Sequence, residues 1–127
     1  MPELPEVETT LRGISAHIIN IPITQVNIRN PRLRWPVPDE LREHLPAHKI
    51  CSITRRAKYL LLAMDSGTLI IHLGMSGSLR IVPNNTPYDK HDHVELCFSN
   101  GLALRLKDPR RFGAVLWTSD PVYEHPL

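Results

Sequence analysis

The stretch Tyr59-Leu-Leu-Leu-Ala-Met-Asp-Ser-Gly-Thr-Leu-Ile-Ile-His-Leu73 decides the fold class of this chain. Two runs rich in leucine and isoleucine, residues 59–64 and 68–73, flank the turn sequence Asp65-Ser66-Gly67. Short apolar runs bounded by turn residues are typical of β-strands. Because a glycine in the turn adopts a positive φ at no steric cost, the stretch predicts a β-hairpin.

Similar short runs recur on both sides of this hairpin. Ser99-Asn100-Gly101 is a second hairpin signal, and residues 83–92, with two prolines and two asparagines, form the most loop-like interval. Seven or eight short strands at this spacing predict a β-sandwich or a β-barrel. The other predicted strands cover residues 23–29, 49–54, 78–82, 94–98, 102–106 and 114–117.

The first part of the chain has a helical pattern instead. Apolar residues recur at spacings of three and four, which predicts an amphipathic helix that caps the β structure. Pro5 suits the first turn of such a helix, and Glu6 and Glu8 lie near the positive end of its dipole. A second, short helix is predicted over residues 38–45, with Asp39 able to cap or charge its first turn. The apolar stripe of the first helix consists of Val7, Leu11, Ile14 and Ile18.

Length and charge narrow the class of protein. The chain has 127 residues, 42% of them hydrophobic, which is enough for one sizeable core, so we expect one compact domain. Its net charge is only +2, but the 15 basic residues include four lysines, which leaves eleven arginines. The planar guanidinium of arginine suits phosphates and base edges, so the composition leans mildly toward a polyanionic partner.

The two cysteines and the N-terminal residues indicate the compartment. Cys51 and Cys97 lack CxxC spacing, so we expect neither a disulfide framework nor a zinc cluster, and two buried thiols in a reduced, cytoplasmic protein. The chain starts with acidic residues where a signal peptide needs basic ones, and no apolar run approaches the length of a membrane span. A soluble protein is therefore expected.

Pro2 and Glu3 form a candidate reactive pair at the chain start. If Met1 is removed, the Pro2 nitrogen becomes a secondary amine, which is a nucleophile that an internal proline cannot offer. With an α-amino pKa of about 8, a useful fraction of the amine is unprotonated at neutral pH, and Glu3 is placed to relay a proton. The alternative interpretation is an ordinary chain start that only leads into a helix.

Three connections between predicted strands are charged or rich in glycine. Residues 55–59 hold three cations, which indicates either a solvated strand end or a phosphate clamp. Met75, between Gly74 and Gly77, and Phe112, in Asp108-Pro-Arg-Arg-Phe-Gly113, place apolar side chains on tight loops. Such side chains can wedge into the base stack of DNA. Together with an amine nucleophile, these loops predict an enzyme that extracts a base from a duplex and attacks its sugar.

Two further clusters leave alternatives open. The segment that holds Arg29, Arg32, Arg34 and Trp35 is either a solvated basic loop or a nucleic-acid contact. His91-Asp92-His93 lacks a third clustered ligand at metal spacing, which favours polar loop histidines over a metal site, although His91 can contact a phosphate.

Five motifs in this order resemble those of bacterial formamidopyrimidine-DNA glycosylases. The resemblance covers residues 1–119 and implies a mainly β fold with α (α+β): a β-sandwich of about eight short antiparallel strands with an N-terminal helix packed against it. It also implies a bifunctional base-excision-repair glycosylase and AP lyase for oxidised purines such as 8-oxoguanine and formamidopyrimidines. The motifs are Met1 to Gly13, Arg-Arg-Ala-Lys-Tyr-Leu from residue 55, His-Leu-Gly-Met-Ser-Gly-Ser-Leu-Arg from residue 72, Lys-His-Asp-His-Val from residue 90, and Asp-Pro-Arg-Arg-Phe-Gly from residue 108.

The resemblance also implies roles for single residues. Pro2 would be the Schiff-base nucleophile and Glu3 the acid/base group. Lys58 would serve β-elimination and contact a phosphate, and Glu6 would help shape the active site. The remaining residues would contact double-stranded DNA that carries an oxidised purine or an abasic site. His72 and His91 would touch the backbone, and Met75, Arg110 and Phe112 would fill the gap left by the flipped nucleotide.

Related proteins continue for roughly the same length again, with a helix-two-turn-helix domain and a zinc finger. The resemblance therefore implies a catalytic domain over residues 1–119 and the start of a linker over residues 120–127. We expect no zinc and no other cofactor in this chain, and a monomer that associates with the nucleoid. The alternative function is a truncated, catalytically incompetent DNA-binding or lesion-sensing domain.

Overall fold

The computed structural model describes residues 4–119; the side chains of residues 4–8 and 10 lie outside the described part. Two helices and eight strands follow one another in this range. Their bounds are α1 Leu4–Ile18, β1 Ile23–Ile28, α2 Leu41–His44, β2 Ser52–Arg56, β3 Tyr59–Met64, β4 Gly67–His72, β5 Ser78–Pro83, β6 Asp92–Phe98, β7 Leu102–Lys107 and β8 Ala114–Thr118.

The strands form two four-stranded sheets. One sheet has the order β1-β6-β7-β5 and the other β2-β3-β4-β8, and all neighbouring strands are antiparallel. The core lies between the sheets, where Leu62 and Leu104 are among the fully buried side chains. Helix α1 adds Ile14 and Ile18 of its apolar stripe to this core. The predicted sandwich with an N-terminal helix is confirmed.

The predicted hairpin forms between β3 and β4. Met64 pairs with Gly67, so Asp65 and Ser66 make a two-residue turn. Gly67 is required here for a further reason, because a Cβ atom would lie 2.5 Å from the Thr118 carbonyl oxygen of β8. The neighbouring strand, which is distant in sequence, therefore needs a residue without a side chain.

Apart from shifts of one or two residues at the ends of other strands, three details differ from the sequence predictions. Strand β2 starts at Ser52 rather than residue 49, and it extends to Arg56 because Arg56 still pairs with Tyr59. Helix α2 is shorter than residues 38–45, and the Asp39 side chain forms an ion pair with Arg42. The expectation of two buried thiols is wrong for Cys51, which is exposed.

Cys97 is buried, as expected. Burial raises the pKa of its thiol to about 11, and the nearby Glu95 carboxylate contributes to the rise. A thiol with this pKa is protonated at neutral pH and is therefore a poor nucleophile.

Candidate nucleic-acid interface

Two loops cross between the sheets at one end of the sandwich. Residues 73–77 join β4 to β5, and residues 108–113 join β7 to β8. We call this end the loop end. The hairpin turns at residues 65–66 and 99–101 lie at the opposite, far end, because β4 and β7 run from those turns to the crossing loops.

The two crossing loops are in direct contact. Gly74 has φ +62°, and a Cβ atom on it would lie 2.6 Å from the Gly113 nitrogen and 2.7 Å from the Phe112 carbonyl carbon. Only glycine permits both this backbone conformation and this approach. The loop that carries Met75 is therefore held against the loop that carries Phe112.

Replacing Gly74 with alanine should separate the two loops and lower the free energy of unfolding by about 2 kcal/mol or more, since strain and steric overlap add. Gly13, in α1, is the matched control, because a Cβ atom there meets nothing within 4 Å. Alanine at Gly13 should stabilise the chain by about 0.5–1 kcal/mol. Urea unfolding measures both variants. Equal effects would show that the contact between the loops is loose.

Asp108 organises both loops from a buried position. Its side chain, with no exposed surface, accepts hydrogen bonds from Ser76 Oγ (2.8 Å), from the Arg111 N–H (3.1 Å) and from the Gly113 N–H (2.8 Å). Ser76 Oγ in turn accepts the Arg110 N–H at 3.1 Å. Arg111 has φ +57°, an uncommon conformation for a residue with a side chain, and the bond to Asp108 compensates for its cost. One carboxylate thus sets the shape of residues 108–113 and ties them to residue 76.

The tips of both loops are apolar and open to solvent. Met75 and Phe112 are each 48% exposed. Because their loops are packed together, the two tips lie at the same end of the sandwich. The structure therefore brings together the two loops whose apolar side chains were predicted to act as wedges.

Cationic and imidazole groups surround these tips. His72 ends β4, its ring centroid lies 4.8 Å from that of Tyr59, and its Nδ1 accepts the Gly74 N–H at 3.1 Å. A neutral ring that accepts at Nδ1 carries its proton on Nε2, which leaves an N–H for an anion. Burial lowers the pKa of His72, and the charges of Arg34 and Lys58 lower it further. Both cations therefore lie near this imidazole.

His72 should titrate below its ordinary pKa of 6.5. Because the pKa is lowered in the folded state, the stability that neutral His72 contributes is complete above about pH 6.5 and is lost as the pH falls through the folded pKa. Arg34→Gln should raise the midpoint, whereas Arg42→Gln, at an exposed ion pair with Asp39, should not. The Hε1 NMR signal of His72 measures the midpoint. A midpoint unchanged by Arg34→Gln would place that charge away from the imidazole.

The other predicted site residues are placed as follows. Lys58 lies in the turn between β2 and β3, next to His72 on the paired strand β4. His91 precedes β6, and its carbonyl accepts the Asp108 N–H at 3.0 Å, so it borders the loop of Arg110 and Phe112. Pro2 and Glu3 lie outside the described residues, as does the side chain of Glu6, whose backbone is part of α1.

His91-Asp92-His93 is built into the framework. Asp92 forms two bonds with the Arg80 guanidinium, at 2.6 and 2.7 Å, and His93 Nε2 lies 2.9 Å from the Asp108 carbonyl oxygen. Within residues 4–119, no group of three or more His, Cys, Asp or Glu side chains is arranged to hold a metal ion. Over the same residues, no helix has the length and apolarity needed to cross a membrane.

A row of polar side chains, which includes Glu95 of β6 and Arg105 of β7, crosses the β1-β6-β7-β5 sheet. This row supports the segment before His91. Arg105 is fully buried, and its Nε donates to Glu95 Oε2 at 2.7 Å. The other guanidinium nitrogens bond to the Thr86 and Pro87 carbonyls, and the guanidinium carbon lies 4.4 Å from the Tyr88 ring centroid. The row anchors residues 86–88 to the sheet and so positions the chain that leads to His91.

No role was predicted for Asp108, Ser76 or this polar row from the sequence. The register pairs Glu95 with Arg105 across β6 and β7, so opposite charges inside the otherwise apolar runs 94–98 and 102–106 were an available signal. No comparable signal existed for Ser76, because its partner lies 32 residues away on another loop.

The fold and these loops define a class: a β-sandwich domain whose loop end combines two apolar tips with surrounding cations. The family profile described as the formamidopyrimidine-DNA glycosylase N-terminal domain matches residues 1–115. The formamidopyrimidine-DNA glycosylases of Thioalkalivibrio sulfidiphilus and Methylococcus capsulatus are each 58% identical over all 127 residues. The chain spans about half of these relatives, 47% of each.

Solved structures of related proteins agree with the match to this family. A complex between Lactococcus lactis Fpg and DNA with an abasic site matches with a TM-score of 0.86 at 34% identity, over 93% of this chain and 44% of that protein. MutM in complex with DNA that contains carbocyclic 8-oxo-G also matches with a TM-score of 0.86, at 36% identity and the same coverage. The chain belongs to the formamidopyrimidine-DNA glycosylase family, of which it matches the N-terminal domain.

Proposed function

We propose that this chain binds damaged duplex DNA at its loop end and carries the amine nucleophile of a base-excision-repair glycosylase and AP lyase for oxidised purines. One observation carries the proposal: Asp108 and Gly74 hold the loops of the exposed Met75 and Phe112 against each other. Apolar side chains presented in this way occupy the space of an extruded base and keep the duplex kinked. The matched solved structures contain DNA with an abasic site or an 8-oxoguanine analogue, which supports the same ligand here.

The surrounding cations supply the phosphate contacts. Arg110 is exposed beside Phe112, and its backbone is held by Ser76. His72 offers Nε2–H, Lys58 lies next to it, and His91 borders the same loop. Because phosphate contacts release counterions, affinity should fall steeply with added salt.

The proposed chemistry starts from the residues that precede α1. The Pro2 amine attacks C1′ of the flipped nucleotide, the glycosidic bond breaks, and the base leaves with a proton whose transfer Glu3 assists. Loss of the amine proton and opening of the sugar ring give an iminium between the Pro2 nitrogen and C1′. This cation acidifies the C2′–H bond, so loss of that proton expels the 3′ phosphate, and Lys58 assists the elimination. Glu6 shapes this site from the first turns of α1.

The position of α1 is compatible with this assignment. Its last turn lies at the far end, where Asn100 Nδ2 donates to the His17 carbonyl at 3.1 Å. A helix of 15 residues spans about 22 Å, about the length of a six-residue strand, roughly 20 Å. Helix α1 therefore has the length to bring residue 4 to the loop end.

Borohydride trapping tests the proposal. The intact chain, shown by mass to lack Met1, should form a covalent adduct with duplex that contains 8-oxoguanine. Pro2→Gly should abolish the adduct, and so should one extra residue before Pro2, because that residue converts the amine into an amide. A chain that lacks Met1 and binds the duplex without forming an adduct would contradict the proposal and favour a lesion-sensing domain without catalysis.

Three further assignments belong to the same proposal. The boundary between a catalytic domain over residues 1–119 and a linker over residues 120–127 follows the resemblance, as do the further helix-two-turn-helix and zinc-finger domains. The chemistry above uses only amine, carboxylate and ammonium groups, so we propose that this chain needs no cofactor. We also propose that it acts as a monomer in the cytoplasm, associated with the nucleoid.

A further inference from the structure

The connection between β1 and α2 displays a tryptophan from a closed loop. Trp35 is 53% exposed, whereas Leu33 and Val37 on either side of it are buried in the core. The loop is closed by a bond from the Val37 N–H to the Pro31 carbonyl at 2.9 Å and by a bridge between Arg32 and Pro36. The backbone of this loop is therefore held by hydrogen bonds, while the indole ring of Trp35 lies in solvent.

This loop is attached to the loop of Phe112. The Arg34 N–H donates to the Gly113 carbonyl at 3.1 Å, so the residue before Trp35 is bonded to the residue after Phe112. The Arg34 guanidinium carbon lies 5.7 Å from the centroid of the Trp35 ring, within the range of a cation–π contact. The loop that carries the indole and its cation therefore adjoins the loop of Phe112.

The positive charge around this surface indicates which kind of partner it binds. Arg34, Lys58 and Arg110 lie around it, and the lowered pKa of His72 shows that Arg34 and Lys58 act on the same point. Among the residues whose side chains the structure describes, neither Arg34 nor Arg110 forms an ion pair. Two cations without carboxylate partners beside three exposed apolar side chains suit a polyanion that also offers aromatic faces, which is DNA.

We propose that Trp35 and Arg34 form a second stacking contact for DNA, beyond the Met75 and Phe112 tips. The indole stacks on a nucleobase whose face the kinked duplex exposes, and Arg34 binds the adjacent phosphate. The inference rests on the proposed function only in taking damaged DNA as the ligand. Because a base inside an intact stack offers no free face, the contact favours duplex with a gap in the stack over intact duplex.

Fluorescence of the intact chain tests the contact. The chain has two tryptophans, so Trp117→Phe leaves Trp35 as the sole indole. A short duplex with a tetrahydrofuran abasic-site analogue should quench its emission and reduce its accessibility to acrylamide. Binding of the same labelled duplex, followed by anisotropy in the otherwise unchanged chain, should weaken about tenfold in Trp35→Ala and much less in Trp35→Phe.

Matched controls separate the contact from general charge. Lys49→Ala removes a cation at the far end, since the adjoining Cys51 N–H bonds to Ala63 next to the β3–β4 turn, and it should change affinity less than about twofold. Trp35→Ala should weaken binding of the abasic duplex more than binding of an intact duplex of the same sequence.

Three results would overturn the inference. These are a bound duplex that leaves Trp35 fully accessible to acrylamide, equal affinities of Trp35→Ala and the unchanged chain, and no duplex binding at all. Protection of Trp35 without a borohydride adduct would instead uphold the contact and contradict the proposed chemistry.

Discussion

Replacing Arg105 with alanine should lower the free energy of unfolding by about 3–5 kcal/mol, the cost of breaking a buried ion pair. The substitution leaves Glu95, which is 1% exposed, without its guanidinium partner. Burial raises the pKa of Glu95, but hydrogen bonds from Tyr88, Asn27 and Arg105 outweigh it and hold the pKa below its usual value. The substitution also frees the Thr86 and Pro87 carbonyls, so the segment before His91 loses its anchor.

Urea unfolding gives the magnitude, with Arg42→Ala as the control. Arg42 pairs with Asp39 at the surface, where such pairs contribute at most about 1 kcal/mol. In Arg105→Ala the loss should shrink as the pH is lowered, because protonation relieves the unpaired Glu95 carboxylate. A loss below about 1 kcal/mol, or one independent of pH, would show that the pair is more hydrated than its burial indicates.

Replacing Asp108 with alanine should weaken both the fold and DNA binding. It leaves the buried Gly113 N–H without an acceptor, which costs about 1–3 kcal/mol, and it removes the hydrogen bond from Ser76 and one of the two acceptors of the Arg111 N–H, which keeps the Asp108 carbonyl at 3.2 Å. We expect a loss of about 3 kcal/mol in stability and about tenfold in affinity for a duplex with an abasic-site analogue, since Phe112 and Arg110 lose their shared backbone shape. Chemical denaturation and anisotropy measure the two losses.

Ser76→Ala is a milder variant with which Asp108→Ala can be compared. It removes one of the three hydrogen bonds to the carboxylate and the acceptor of the Arg110 N–H, but both bonds to the 111–113 backbone remain. Its cost should be about 1.5 kcal/mol, with a smaller effect on affinity than Asp108→Ala has. If both variants bound DNA like the unchanged chain, the shape of the 108–113 loop would not matter for binding.

Most of the fold could be predicted from local patterns. The bounds of β3 match the apolar run 59–64, and the stripe of α1 includes the core residues Ile14 and Ile18, because both patterns record which faces are buried. The start of β2 was wrong because residues 49–51 are apolar enough for a strand but bond partly to residues 19–22. Cys51 was placed inside because its residue type is usually buried, which says nothing about this position.

The exposed apolar residues at the tips of the candidate site could also be predicted from the sequence. The hydrogen bonds that hold their loops in place could not. Met75 and Phe112 were noticed because apolar residues between glycines and charges are unusual in tight loops. The bonds from Asp108 to residue 76 and from Arg34 to Gly113 join segments far apart in the chain, and they exist only once the sheets are assembled. The chemical character of a loop tip follows from its own residues, whereas its position depends on tertiary contacts.

The methyl NMR signal of Met75 tests the central claim most directly, namely that DNA binds at the loop end. The chain has three methionines, and Met64, 8% exposed at the far end of β3, is an internal control. On addition of duplex with an abasic-site analogue to chain labelled at the methionine methyls, the Met75 signal should shift strongly because nucleobase rings surround it. The Met64 signal should stay in place. Salt-dependent binding that leaves Met75 unshifted, or that shifts both methyls alike, would contradict the claim.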